Sequence, residues 1–159
     1  MGVLYDYFRT GDEEAVAKLM AATDGGPVVR EGGSPLVDAL DAKGIDPSVV
    51  LGKVVSFALD VPWTAGLVGE RLVWPDGPGP DPEYEGPWVA ALSDRARDAL
   101  AGVTDDQLPG LADRWSRIEE LSHYSDMQPG AMLSVLHEFV GLARRARANA
   151  ESLYCWICL

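Results

Sequence analysis

The chain has 159 residues, 47% of them hydrophobic, and sets 25 Asp and Glu against 13 Lys and Arg for a formal charge of −12. One ordinary domain fits that length, and the apolar content supports a core, which excludes a disordered chain. The charge argues against nucleic acid or an anionic membrane as partner, and no apolar run approaches the ~18 residues of a membrane span, so the charge serves solubility or attracts a basic protein.

In chain order, Val3 to Arg9 reads as a strand rich in Val, Tyr and Phe. Thr10 and Glu13 have capping-box spacing before a helix with Val16, Leu19 and Met20 on one face. Asp24 to Gly33 holds two Gly pairs and reads as a loop. Ser34-Pro35 has the signal of an N-cap followed by Pro and predicts a short helix to about Ala42. Asp46-Pro47 repeats the signal ahead of a helix carrying Val50, Val54, Phe57 and Ala58. Leu67 to Trp74 reads as a strand and Val89 to Leu92 as another extended segment. Ser93 caps a helix with Ala96, Ala99 and Leu100 inward. Thr104 and Gln107 form a second capping box, and the helix after it shows Leu108, Leu111, Trp115, Ile118 and Ser122 at helical spacing. Pro129 opens the last helix, striped by Met132, Leu136, Phe139, Val140 and Ala143. Its final turns carry Arg144, Arg145 and Arg147, which complement the negative end of the helix dipole, and Asn149 stands at the C-cap.

The final run, Leu153 to Leu159, is apolar on both faces of a strand. Leu153, Cys155, Ile157 and Leu159 lie on one side, and Tyr154, Trp156 and Cys158 on the other. A strand of this kind belongs in the interior of a layered domain, covered on both sides, with Val3 to Phe8 as its natural neighbour. The expected architecture is therefore α+β: a single domain over residues 1–159, with a small mixed sheet that includes the N- and C-terminal strands and is covered by five or six helices.

Three segments resemble the YfbM-like family of small uncharacterised bacterial proteins. They are the opening Met1-Gly2-Val3-Leu4-Tyr5 with the acidic helix after it, the stretch from Gly86-Pro87-Trp88 through Ala99-Leu100, and the closing helix from Phe139 to Ala150 running into an apolar last strand. The family commonly carries a Trp in the helix corresponding to Ser48 to Leu59, where this chain has none. The resemblance implies a fold and brings no reaction with it.

Candidate chemistry is sparse. Cys155-Trp156-Ile157-Cys158 has the spacing of a redox or zinc motif, but in a strand residues three apart point to opposite faces, so the thiols read as packing groups. His123-Tyr124-Ser125-Asp126 gathers a base, a hydroxyl and an acid within one interhelical loop, where Ser and Asp are common turn formers. His137 lies at the border of an apolar helical stripe. The Gly pairs lack the Lys and Ser or Thr of a phosphate-binding loop. No cofactor or metal is indicated.

The segment Pro75 to Pro87 remains. It holds five prolines, is acidic through Asp76, Asp81, Glu83 and Glu85 with no base, and is flanked or filled by Trp74, Tyr84 and Trp88. Proline at that density forbids a helix or central strand, and ordered loops of this length are commonly functional. Aromatic anchors suit an interface, and local negative charge steers a basic partner. Two functions are compatible with these residues: a non-catalytic protein-binding module of the immunity or antitoxin type, or a small-molecule enzyme using carboxylates with His123 or His137. The N-terminus lacks a basic region followed by a long apolar stretch, so a cytoplasmic location is expected.

Overall fold

The computed structural model describes residues 2–29, 36–76, 82–125 and 128–159. Five strands and five α-helices follow in the order β1 (Leu4–Thr10), α1 (Glu13–Thr23), β2 (Ala39–Asp41), α2 (Val50–Leu59), β3 (Arg71–Trp74), β4 (Trp88–Ala91), α3 (Asp94–Ala101), α4 (Leu108–Ser116), α5 (Pro129–Ala148) and β5 (Ser152–Cys158), with a short 3-10 turn at Glu119–Leu121. The strands form one sheet in the order β2-β1-β5-β4-β3. Both chain-terminal strands are in it, as expected, and β5 is its middle member. Every pair is antiparallel, including those where a mixed sheet was the expectation. The sequence pattern identifies a strand covered on both sides but not the direction of its neighbours.

Alternation along β5 sorts its side chains between two cores. Leu153, Cys155 and Ile157 join the larger core under α2, α3, α4 and α5. Tyr154, Trp156 and Cys158 join a smaller one with Phe8, Val73, Val89 and the Val16 and Met20 face of α1. The register places Tyr7 beside Cys155 and Phe8 beside Tyr154, whose rings stack at 5.6 Å. In the larger core the Tyr7 ring meets Phe139 edge-on at 4.7 Å, and the buried Tyr7 hydroxyl donates to the Ile45 carbonyl at 2.6 Å. Trp115 is fully buried and donates its indole N–H to the Val50 carbonyl at 2.8 Å. A large aromatic residue in the core thus brings with it a partner for its polar atom.

Four elements differ from the expectation. The cap of α1 is Asp12, whose carboxylate accepts from the Ala15 N–H at 2.8 Å, because Thr10 is still paired to Ser152 in the sheet. Residues 39–41 pair with β1 as a short edge strand instead of continuing a helix, and Ser34-Pro35 lie outside the described residues. The strand expected from Leu67 starts only at Arg71, since Gly66 and Gly69 turn the chain through positive φ of 87° and 67°. The helix through Trp115 stops at Ser116. Ile118 is extended (φ −67°, ψ 149°), and the hydroxyls of Ser116 and Ser122 donate to local carbonyls in place of helical pairing.

Two ties hold the smaller core closed. Asp6, 4% exposed on β1, accepts from the Val28 and Val29 amides through one carboxylate oxygen at 3.0 and 2.9 Å. Trp156 donates its indole N–H to the Gly25 carbonyl at 2.8 Å, and its ring lies so close over Gly26 (φ +94°) that a Cβ there would collide with it. At the far end of β1, Arg9 pairs with Asp38 at 2.7 Å and with Glu151, while Arg145 of α5 also binds Asp38, at 2.6 and 3.2 Å. The two guanidiniums hold the Asp38 carboxyl below its ordinary range, Arg145 contributing most.

Gly26→Ala combines a left-handed backbone with a steric clash, so a loss of about 2 kcal/mol or more is expected in denaturant titration. Burial raises the Asp6 pKa above its unfolded value, so the ionised carboxylate carries a penalty that is present at neutral pH and relieved as pH falls toward the unfolded value of about 3.9. Asp6→Asn keeps an acceptor for both amides and removes that charge. Its stability relative to the parent should therefore be highest at pH 7 and decline toward pH 4, whereas Asp6→Ala should cost about 1–3 kcal/mol by leaving the amides unpaired. A difference between Asn and parent that is flat across this range would contradict the assignment.

Candidate functional site

The acidic segment begins where β3 ends and closes where β4 begins. Trp74 terminates β3 half-buried against the smaller core, and Gly25 packs beside its ring and beside Pro87. Tyr84 donates its hydroxyl to the Pro87 carbonyl at 2.7 Å, and its ring meets that of Trp88 at 5.6 Å and 89°. Trp88, first residue of β4, lies over Gly86 (φ +96°), where a Cβ would come within 2.8 Å of the ring. The three aromatics are therefore occupied in folding the segment onto the sheet. Its carboxylates turn the other way: Asp76, Glu83 and Glu85 are all exposed. Asp76 and Glu85 take part in no ion pair among the described residues. Asp81 lies outside the described residues. Beside the segment runs β3, last in the sheet, with no strand on its outer edge among the described residues and Leu72 exposed on it.

The remaining candidates are dispersed. Cys155 and Cys158 point into opposite cores, and Cys155 is fully buried with its thiol pushed well above the ordinary range by desolvation. No group of three or more His, Cys, Asp or Glu among the described residues could hold a metal ion. His123, Tyr124 and Ser125 are exposed in the turn after the 3-10 helix, and Asp126 lies outside the described residues. His137 is exposed on α5 and, with Glu138, borders two surface clefts, one also lined by Arg145 and the other by Asp105 and Ser134. His123 and His137 share no cleft among those described.

Two further hollows involve residues the sequence reading passed over. One, of about 510 Å³, is lined by Lys53, Phe57, Asp60, Trp63, Arg114 and Ile118, among others. The other, of about 520 Å³, is lined by Tyr5, Lys43, Asp46, Val49, Glu120 and Tyr124, among others. Lys53 faces the first and Glu120 the second, and their ion pair (2.6 and 2.8 Å) links the two hollows. This pair holds the Glu120 carboxyl below its usual range. The Tyr5 phenol is pushed up to about 12, by burial first and by the Asp46 carboxylate second, so at neutral pH it is a hydrogen-bond donor and not a base. The available signal was the spacing of Lys53 and Phe57, four apart on one helical face, with Trp63 just beyond the helix end.

No protein-family model matches the chain, and no curated protein or solved structure matches it significantly. No helix among the described residues is long and apolar enough to cross a membrane.

The two thiols should differ sharply in reactivity. Iodoacetamide on the native protein is expected to modify Cys158 and leave Cys155 unmodified until denaturant is added, with peptide mass spectrometry as the readout. Equal labelling of both in the native state would show that the last strand is not held inside the sheet.

Proposed function

We propose that the protein is a non-catalytic binding module of the immunity or antitoxin type, which docks a basic protein on the acidic edge formed by residues 82–88, Asp76 and β3. The carrying observation is the orientation of this segment. Its aromatics fold inward on one another and on the sheet, while Asp76, Glu83 and Glu85 are exposed, and Asp76 and Glu85 have no counter-ion among the described residues. The sequence places four acids and no base between Pro75 and Pro87. Such a cluster raises the encounter rate with a cationic surface and discriminates against anionic ones. The outer edge of β3, which no strand covers among the described residues, adds main-chain donors and acceptors to the same surface, the groups by which an extended partner segment is held in β-augmentation. Cytoplasmic residence and kinship with the YfbM-like family belong to the same proposal and rest on the segments named in the sequence.

The test compares the parent with a D76N/E83Q/E85Q variant as bait in lysate from the protein's own cells, at low and at high salt. The parent should retain a basic protein at low salt and release it as salt rises, because exposed charges are screened beyond about 10 Å at 0.1 M. The variant should fold with unchanged thermal stability and retain at least tenfold less of that protein. Identical recoveries by parent and variant would refute the acidic edge as the docking surface.

A further inference from the structure

Independently of the acidic edge, the hollow beside α2 and α4 has the makings of a ligand site. Helix α2 presents Lys53 and Phe57 one turn apart, and the chain then folds back so that Trp63 lies against the helix. Trp63 donates its indole N–H to the Ser48 carbonyl at 3.0 Å. Gly52 permits that approach, for a Cβ there would meet the indole nitrogen at 2.8 Å. The result is an aromatic wall, continued by Ile118, around about 510 Å³.

Two cations face this space in a chain of charge −12. Arg114, from the last turn of α4, lays its guanidinium over the Phe57 ring at 4.1 Å. Arg9, Arg71, Arg97, Arg117, Arg144 and Arg145 are all ion-paired; Arg114, like Arg95 and Arg147, has no carboxylate within ion-pair distance among the described residues, and of these three it is the one that lines this hollow. A guanidinium stacked on its face keeps its N–H donors along its edge, in the fork geometry that matches a carboxylate. Lys53 lies 5.9 Å from the Trp63 ring centre and meets both oxygens of Glu120, and an ammonium carries three donors, so one remains. Asp60 also borders the space and makes no ion pair among the described residues, so a dianion would be repelled where a single negative charge is tolerated.

We propose that this hollow binds a small monocarboxylate with a flat apolar body, its carboxylate held by the edge of Arg114 and by Lys53 and its body resting on Trp63 and the apolar wall. Phenylacetate is a suitable probe, with phenethylamine as the control that keeps the ring and reverses the charge. Titration into ¹⁵N-labelled protein, read at the Trp63 indole N–H, should give a saturable shift with phenylacetate at a dissociation constant on the order of 1 mM or tighter, and none with phenethylamine. Arg114→Gln, at an exposed position, should weaken phenylacetate binding about tenfold or more without altering the melting temperature, since it removes the charge and the fork together. Arg114→Lys should fall between the two. An absent or non-saturating Trp63 shift with phenylacetate, an equal response to phenethylamine, or unchanged affinity in Arg114→Gln would each overturn the proposal.

Discussion

The whole architecture depends on burying the last strand on both of its faces. β5 lies at the middle of the sheet, and its successive side chains alternate between a core of four helices and a core closed by α1 and the 24–29 turn. An antiparallel sheet commonly leaves one face to solvent. Here neither face of the central strand can be left uncovered, because Cys155 and Leu153 on one side are as apolar as Tyr154 and Trp156 on the other. The need for a second layer explains why a single helix, α1, and a pair of polar ties at Asp6 and Trp156 are committed to the thinner side.

Charge is distributed according to the same layering. Most described arginines are spent within the fold: Arg9 of β1 and Arg145 of α5 meet on Asp38, Arg97 pairs with Asp94 and Asp98 of its own helix and donates to the Glu151 carbonyl before β5, and Arg144 of α5 binds Asp105 and the Ala101 and Val103 carbonyls at the end of α3. Partly exposed pairs of this kind contribute little individually, but a network that joins β1, α5 and the start of β5 orients those elements. Because acids outnumber bases by almost two to one, neutralising the interior leaves a surplus of carboxylates at the periphery, and the proline-rich segment beside β3 is where the sequence concentrates them. The binding role proposed for that edge and the ligand role proposed for the Arg114 hollow thus have one origin: Asp76 and Glu85 are carboxylates, and Arg114 a cation, that the ion pairs among the described residues leave without a counter-ion.

Periodicity and end signals made most elements legible. β1, α1, α2, α3, β4, α5 and β5 lie where alternation, Pro at a first turn, a capping Ser or an apolar stripe places them, and Asn149 does cap α5. The departures share a cause. Thr10 has the spacing of a cap but is claimed by Ser152 across the sheet, residues 39–41 are claimed by β1, and the helix after Trp115 yields to hydroxyl–carbonyl bonds and to an extended Ile118 that still reaches the core. In each case a contact distant in sequence, or a locally competing hydrogen bond, outweighed a propensity of a few tenths of a kcal/mol per residue. The acidic segment could be singled out by composition, but that its aromatics face inward while Asp76, Glu83 and Glu85 are exposed could not.

By itself the sequence determined the class of the fold, the interior place of its last strand, the separation of the two thiols onto opposite faces and the excess of negative charge, since these follow from a two-residue period and from counting; Leu159, expected inside with that strand, lies beyond the end of β5 and is exposed. Strand order and direction, the tie of Asp6 to Val28 and Val29, and the convergence of Lys53, Phe57, Trp63 and Arg114 around one hollow were decided only in three dimensions. Such features join residues tens of positions apart, and the packing that unites them leaves no local periodicity to read.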